Sequence, residues 1–223
     1  MSVPHMSVVQ QRANRAGQVI ALALLAGLAM VPLAPVFDDP RYWLAVGGGV
    51  LVGTAVAVFA TRLRADSLLV AGLALVGYFL FGGLFALRDS TIAGVLPSIA
   101  TVRDLALNVV FGWQQLLTIS VPVSGFDHLF GMPYLVALAG SVLAVSLALR
   151  TSSPGLPLIP PAVQLVFAIA FGESQGLLPG LLGGALAALG LGLAAWRRSG
   201  RRAGSLLSAG DEVRRAAVRT AAL

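Results

Sequence analysis

The chain has 223 residues, of which 57% are hydrophobic and 11% are charged, and its mean hydropathy is +0.89. Soluble domains contain about 45–50% apolar residues, so this composition excludes a water-soluble globular protein. The formal net charge is +6, and the absence of cysteine excludes disulfides, thiolate catalysis and cysteine metal sites within the chain.

Six apolar stretches of near-bilayer length follow one another along the chain. A helix that crosses the hydrocarbon core needs about 20 mostly apolar residues at a rise of ~1.5 Å each. The predicted spans are Ala16–Val36, Trp43–Ala60, Ser67–Leu87, Leu129–Leu149, Leu156–Gly172 and Gly176–Trp196. The sequence therefore predicts an all-α fold, a polytopic bundle of six transmembrane helices within residues 16–196. The fifth span is short and rich in proline, which membrane helices tolerate when neighbouring groups satisfy the freed carbonyls.

The arginines fall on alternate sides of these spans. All 15 basic residues are arginine; twelve lie in one set of loops and termini, and only Arg41, Arg88 and Arg103 lie in the other. The positive-inside rule then predicts a cell-membrane protein with both termini in the cytoplasm. The termini are a polar segment, 1–15, expected to be disordered, and a basic tail, 197–223. Membrane topology accounts for the positive charge, so no nucleic-acid partner is predicted and the lipid bilayer is the expected partner.

The longest predicted loop, 88–128, contains an outer helix. Helical periodicity runs from Ser98 to Leu117, and Thr101 with Asp104 has the spacing of an N-terminal cap. An apolar stripe is predicted on one face, with Asn108 and Gln115 off it; the stripe is Leu105, Val109, Trp113 and Leu116. Two placements stay open for this amphipathic helix. It could lie in the interface plane with Trp113 at headgroup depth, or its stripe could pack on the outer ends of the spans.

Small and polar residues within the spans indicate helix packing. Gly49 with Gly53, and Gly180 with Gly184, have the spacing that lets helix backbones approach closely. We interpret both pairs as internal packing contacts in preference to dimer contacts. No ionisable residue lies within the predicted spans, and Gln164 is interpreted as a hydrogen-bonding side chain between helices.

The residues with catalytic chemistry are few. Ser124, Asp127 and His128 supply the residue types of a hydrolase triad, but immediate neighbours rarely converge and no nucleophile elbow accompanies them. Only two histidines are present, which argues against a histidine metal site. Glu173 is interpreted as part of a solvated turn. We predict no catalytic, cofactor-binding or metal site, no cofactor and no small-molecule ligand.

Several motifs resemble a known family. They are the Trp113–Thr118 run, Pro133 with Tyr134 at the start of the fourth span, the prolines that open the fifth span, and the basic tail after Trp196. These features resemble the N-terminal membrane domain of bacterial transglutaminase-like membrane proteins of the TgpA type, in its actinobacterial form. In that family an extracytoplasmic transglutaminase-like domain with a Cys-His-Asp triad follows the membrane domain.

The resemblance implies a membrane module without enzymatic activity. Such a module would anchor or position a transglutaminase-like domain, in cis or in trans, and that domain is not part of this sequence. The apolar residues after Arg219 are similar to the beginning of a seventh span that would lead to it. The alternative from residue content is a small transporter or a lipid-handling membrane protein, and an intramembrane enzyme is less well supported.

Overall fold

The structure is a computed structural model that describes residues 4–87, 91, 97–118, 127–153, 155–172 and scattered residues between 183 and 195. The regular structure in this part of the chain is entirely helical, which confirms the all-α prediction there. The helices are α1 (Pro4–Leu28), α2 (Ala34–Phe37), α3 (Arg41–Arg62), α4 (Ser67–Phe85), α5 (Ile99–Thr118), α6 (Gly131–Arg150) and α7 (Ile159–Phe171). Short 3-10 turns precede three of them, at Val31–Leu33, Asp127–Phe130 and Leu156–Leu158.

Four segments are long and apolar enough to cross a membrane. They are Arg15–Phe37, Arg41–Arg62, Ser67–Phe85 and Gly131–Arg150, and they coincide with the first four predicted spans. The fifth predicted span is a shorter apolar segment, Leu156–Phe171, about 24 Å long at ~1.5 Å per residue. Most of the sixth predicted span lies outside the described residues. The lengths and compositions of these helices are those of a multi-pass membrane protein.

The first span is interrupted near its end. α1 ends at Leu28, and the chain continues through the 3-10 turn Val31–Leu33 into α2. Each of these short elements carries a proline in its first positions, where the missing N–H is not needed. Asp38 then adopts a left-handed conformation with φ 44°, and the Asp39 carboxylate accepts a 2.7 Å bond from the N–H of Arg41. This turn reverses the chain into α3.

The N-terminal segment differs from the prediction. Residues 1–15 are expected from their polarity to be disordered, but α1 begins at Pro4, so that expectation is wrong from this residue onward. Proline is favoured in a first helical turn, and no glycine interrupts residues 4–16. Because a helix already nucleated by the span adds one hydrogen bond for each residue fixed, it extends through the polar segment.

α6 is the central helix, and α3 is its main neighbour. A Cβ atom at Gly49 would lie 2.6 Å from the carbonyl oxygen of Tyr134, and one at Gly53 would lie 2.6 Å from that of Leu138. The two backbones are therefore in direct contact, and the internal-packing interpretation of this glycine pair is confirmed. The second predicted pair is not confirmed. A Cβ atom at Gly184 would meet no atom within 4 Å in the described part of the chain, and Gly180 lies outside that part.

These contacts also fix the directions of the helices. α3 and α6 run parallel, because Gly49 lies against Tyr134 and Gly53, one turn later in α3, lies against Leu138, one turn later in α6. α4 runs antiparallel to α3, since Gly77 lies against Val52 while Gly48 lies against Phe85. The end of the bundle that contains Arg62 and Arg150 is called the arginine end below, and the opposite end is called the α5 end.

Candidate functional site

α5 covers the end of the bundle where α4 finishes and α6 begins. A Cβ atom at Gly82 would lie 2.8 Å from Cδ1 of Leu105, and one at Gly131 would lie 2.9 Å from Nδ2 of Asn108. Gly112 of α5 approaches the side chain of Met132. Glycines on three helices thus allow α5 to lie directly on the backbones of α4 and α6.

The buried face of α5 differs from the predicted stripe. Leu105 is buried as expected, but Val109 is 46% exposed and Trp113 is 44% exposed. Asn108, which the periodicity places off the stripe, is only 2% exposed, and Thr101 is fully buried. The alternative in which the whole stripe packs on the ends of the spans is therefore wrong, because it assumes that apolar side chains turn toward protein. Small and polar residues pack inward here, and apolar residues turn outward.

The start of α5 is also shifted from the predicted cap. The backbone N–H of Thr101 donates to Oγ of Ser98 at 3.1 Å, and the N–H of Ser98 donates to Oγ1 of Thr101 at 3.2 Å. This reciprocal arrangement is a capping box, with Ser98 as the cap and Thr101 as its partner. The Thr101–Asp104 interpretation is wrong by one turn, since the helix already begins at Ile99.

α5 has features of both placements that the sequence leaves open: it packs on the bundle, and it also has an exposed apolar surface. The helix packs on the ends of α4 and α6 through Thr101, Leu105 and Asn108. The rest of its surface presents large apolar side chains, as an interfacial helix does. These exposed residues are Ile99, Val102, Leu107, Val109, Val110, Phe111 and Trp113. α5 is therefore a fixed structural element with an apolar outer surface.

Three buried tyrosines tie the helices together at this end. The hydroxyl of Tyr42 donates to the carbonyl of Met30 at 2.5 Å, that of Tyr78 to the carbonyl of Leu105 at 3.0 Å, and that of Tyr134 to the carbonyl of Gly77 at 3.1 Å. The rings of Tyr78 and Tyr134 stack with centroids 5.7 Å apart. We call Tyr42, Tyr78 and Tyr134 the tyrosine cluster. It links the end of the first span to α3, and α4 to both α5 and α6.

The polar side chains deeper in the bundle mostly bond to backbone carbonyls. Ser141 donates to the carbonyl of Ala137 in its own helix at 2.8 Å, and Gln164 of α7 donates to the carbonyl of Val136 in α6 at 2.9 Å. The prediction that Gln164 joins two helices is confirmed. Among the described residues, no charged side chain is buried.

A lateral groove lies between α4 and α6, and we call it the α4–α6 groove. Its volume is about 580 Å³. Tyr78 and Val109 close it at the α5 end, and Ser67, Arg150 and Thr151 form its arginine end. Between these ends the lining is mostly aliphatic: Val70, Ala71, Ala74, Leu75, Leu135, Leu138, Ala139, Val142, Leu143 and Leu147, with Ser146. The sequence did not indicate this groove, because it depends on which faces of two separate helices oppose each other.

Two of the four residues considered for catalysis lie in the described part of the chain. Asp127 and His128 fall in the 3-10 turn that leads into α6, whereas Ser124 and Glu173 lie outside the described residues. Within the described part of the chain, no cluster of three or more histidine, aspartate or glutamate side chains could hold a metal ion.

No family model, curated protein or solved structure matches this chain. The resemblance to transglutaminase-like membrane proteins therefore stays a prediction from the motifs alone. The structure defines the geometry of the α5 end and of the α4–α6 groove.

Proposed function

We propose that this chain is a non-catalytic integral membrane module that anchors a partner at one face of the cell membrane. The observation that carries the proposal is the arrangement of α5. Its inward face is locked to α4 and α6 through Leu105 and Asn108, while its apolar outer face is exposed. A preformed helix on the end of a membrane bundle provides a fixed docking surface without a loss of chain entropy on binding.

The partner that the sequence resemblance implies is a transglutaminase-like domain, encoded in cis or in trans. The proposal assigns the α5 end to the outside of the cell and both termini to the cytoplasm. Arg62, Arg64 and Arg150 lie together at the opposite end, and the positive-inside rule favours the cytoplasm for that end. An enzyme of the cell envelope would then meet the bundle at α5.

The proposal includes six crossings. Support for the fifth comes from Gly172, just after α7, where a Cβ atom would lie 2.5 Å from the carbonyl oxygen of Pro32 near the end of the first span. α7 begins beside the arginine end and therefore reaches the level at which the first span finishes. The sixth crossing rests on the apolar sequence Gly176–Trp196 and on the seven arginines that follow it.

Site-specific photocrosslinking in native membranes tests the docking surface. A photoreactive amino acid at Arg103, which is exposed on α5, should give adducts that contain a transglutaminase-like domain. The same amino acid at Arg62, exposed at the arginine end, is the matched control and should give none. Adducts of equal yield from both positions, or adducts at Arg103 without such a domain, would refute the assignment.

A second measurement tests the non-catalytic part of the proposal. A transglutaminase forms an acyl-enzyme on an activated thiolate, and this chain has no cysteine. The purified protein should therefore release no ammonia from a glutamine-containing peptide. Ammonia release that disappears in Asp127→Ala or His128→Ala variants would contradict the proposal.

A further inference from the structure

We infer that the α4–α6 groove binds one acyl chain of an anionic phospholipid, with the lipid phosphate at Arg150. This inference is independent of the anchoring function, since it concerns the lateral face of the bundle and the arginine end, and α5 borders the groove only through Val109. It rests on the depth of the groove, on its aliphatic lining and on the arginine at its mouth.

The depth of the groove matches the thickness of a membrane leaflet. Along α4 it extends from Ser67 to Tyr78, about 17 Å, and along α6 from Leu135 to Arg150, about 23 Å, at ~1.5 Å per residue. One leaflet of the hydrocarbon core is about 15 Å thick, half of ~30 Å. A chain that enters at the arginine end can therefore extend fully before it meets Tyr78.

The polar groups of the groove lie at its mouth, where a phospholipid headgroup would be. Arg150 is exposed there beside Ser67 and Thr151, and a guanidinium can bind a phosphate through paired hydrogen bonds. Ser146 lies one helical turn deeper, but its Oγ is buried within the bundle and does not open into the groove.

The volume of the groove, about 580 Å³, falls within the roughly 300–1,000 Å³ of ordinary ligand pockets. Since the lining is aliphatic over its length and cationic only at the mouth, an anionic lipid matches it better than an apolar molecule or a second copy of the chain.

Native mass spectrometry of the purified full chain tests the inference. Wild-type protein would be incubated with micelles that contain phosphatidylglycerol or phosphatidylcholine of the same acyl composition. We expect one phosphatidylglycerol molecule to be retained, and Arg150→Gln should weaken that retention by about ten-fold or more relative to phosphatidylcholine. Arg62→Gln removes an arginine at the same end that does not line the groove, and it should bind as wild type does.

A second pair of variants tests the position of the acyl chain. Ala139→Trp places a large ring in the groove from a lining residue that is exposed, and it should abolish retention of both lipids. Leu68→Trp adds a ring at an 82% exposed position outside the lining and should leave retention unchanged. Thermal unfolding of each variant confirms that it is folded.

Three results would overturn the inference. One is equal retention of the two lipids by wild type, and another is equal loss in Arg62→Gln and Arg150→Gln; both mean non-specific annular binding. The third is a dimer that Ala139→Trp dissociates in lipid-free detergent, which would assign the groove to a second copy of the chain.

Discussion

Replacement of Gly53 by alanine measures how closely the backbones of α3 and α6 approach each other. The added Cβ would lie 2.6 Å from the carbonyl oxygen of Leu138 and would also collide with Oγ of Ser141. The serine side chain can rotate, but the carbonyl belongs to the backbone of the central helix and cannot move alone. Gly47 is the matched control, because it lies in the same helix and its Cβ would meet no atom of the described residues within 4 Å.

The two substitutions should change the free energy of unfolding in opposite directions. An alanine in place of glycine stabilises a helix interior by about 0.5–1 kcal/mol, and this gain is the full expected effect of Gly47→Ala. At Gly53 the same gain is offset by an overpacking cost of about 1–3 kcal/mol. Because the obstructing atom is a backbone oxygen, the upper part of that range applies. Gly53→Ala should therefore unfold more easily than Gly47→Ala by about 2–3 kcal/mol.

Unfolding by dodecyl sulfate in mixed micelles, followed by circular dichroism, gives this difference in free energy. Light scattering of the same samples gives the oligomeric state. If Gly53→Ala is as stable as Gly47→Ala, α3 and α6 are not in backbone contact. If Gly53→Ala instead dissociates a dimer while each subunit keeps its stability, the glycine pair forms a contact between copies of the chain.

Three other predictions concern the tyrosine cluster, α5 and the topology. Tyr134→Phe removes the hydrogen bond to the Gly77 carbonyl and should lower the unfolding free energy by about 0.5–1.5 kcal/mol in the same titration; an unchanged midpoint would contradict the bond. Trp113→Ala should destabilise the protein in vesicles more than Gln114→Ala, because Trp113 is partly buried, with 44% exposed, and full burial of an aromatic side chain contributes roughly 1.5–3 kcal/mol; equal effects would mean that this partial burial does not stabilise α5. A membrane-impermeant thiol reagent should label Ser90→Cys in intact cells and Ser208→Cys only after lysis, and the reverse pattern would invert the proposed topology.

The bounds of the long helices could be predicted because the bilayer imposes a length. The predicted third span, Ser67–Leu87, is helical over Ser67–Phe85, and the predicted second span, Trp43–Ala60, lies within the helix Arg41–Arg62. A run of about 20 apolar residues has few alternatives in lipid, where every backbone N–H and C=O must be paired within the helix. This signal depends on composition alone and needs no knowledge of neighbouring helices.

The faces of the helices could not be predicted in the same way. In water, an apolar stripe marks the side that packs on the core, and this rule leads to the error at Asn108 and Val109 of α5. Beside lipid, an apolar side chain gains little by turning toward protein, whereas a polar side chain needs a partner and a small residue permits close packing. Over residues 99–115 of α5, where burial is described, the buried residues are accordingly threonine, asparagine and glycine together with one leucine.

The same reasoning connects the tyrosine cluster with the α4–α6 groove. α4 and α6 both pack on α3, and the Tyr134–Gly77 bond joins them directly near the α5 end. Hydroxyl groups in hydrocarbon need such partners, so the tyrosines draw the helices together at this level. Toward the arginine end the facing side chains are aliphatic, and aliphatic side chains can contact lipid as favourably as they contact each other. The helices are thus held closely where a tyrosine hydroxyl bonds to a neighbouring backbone, and the space between them is open to a lipid chain where the lining is mostly aliphatic.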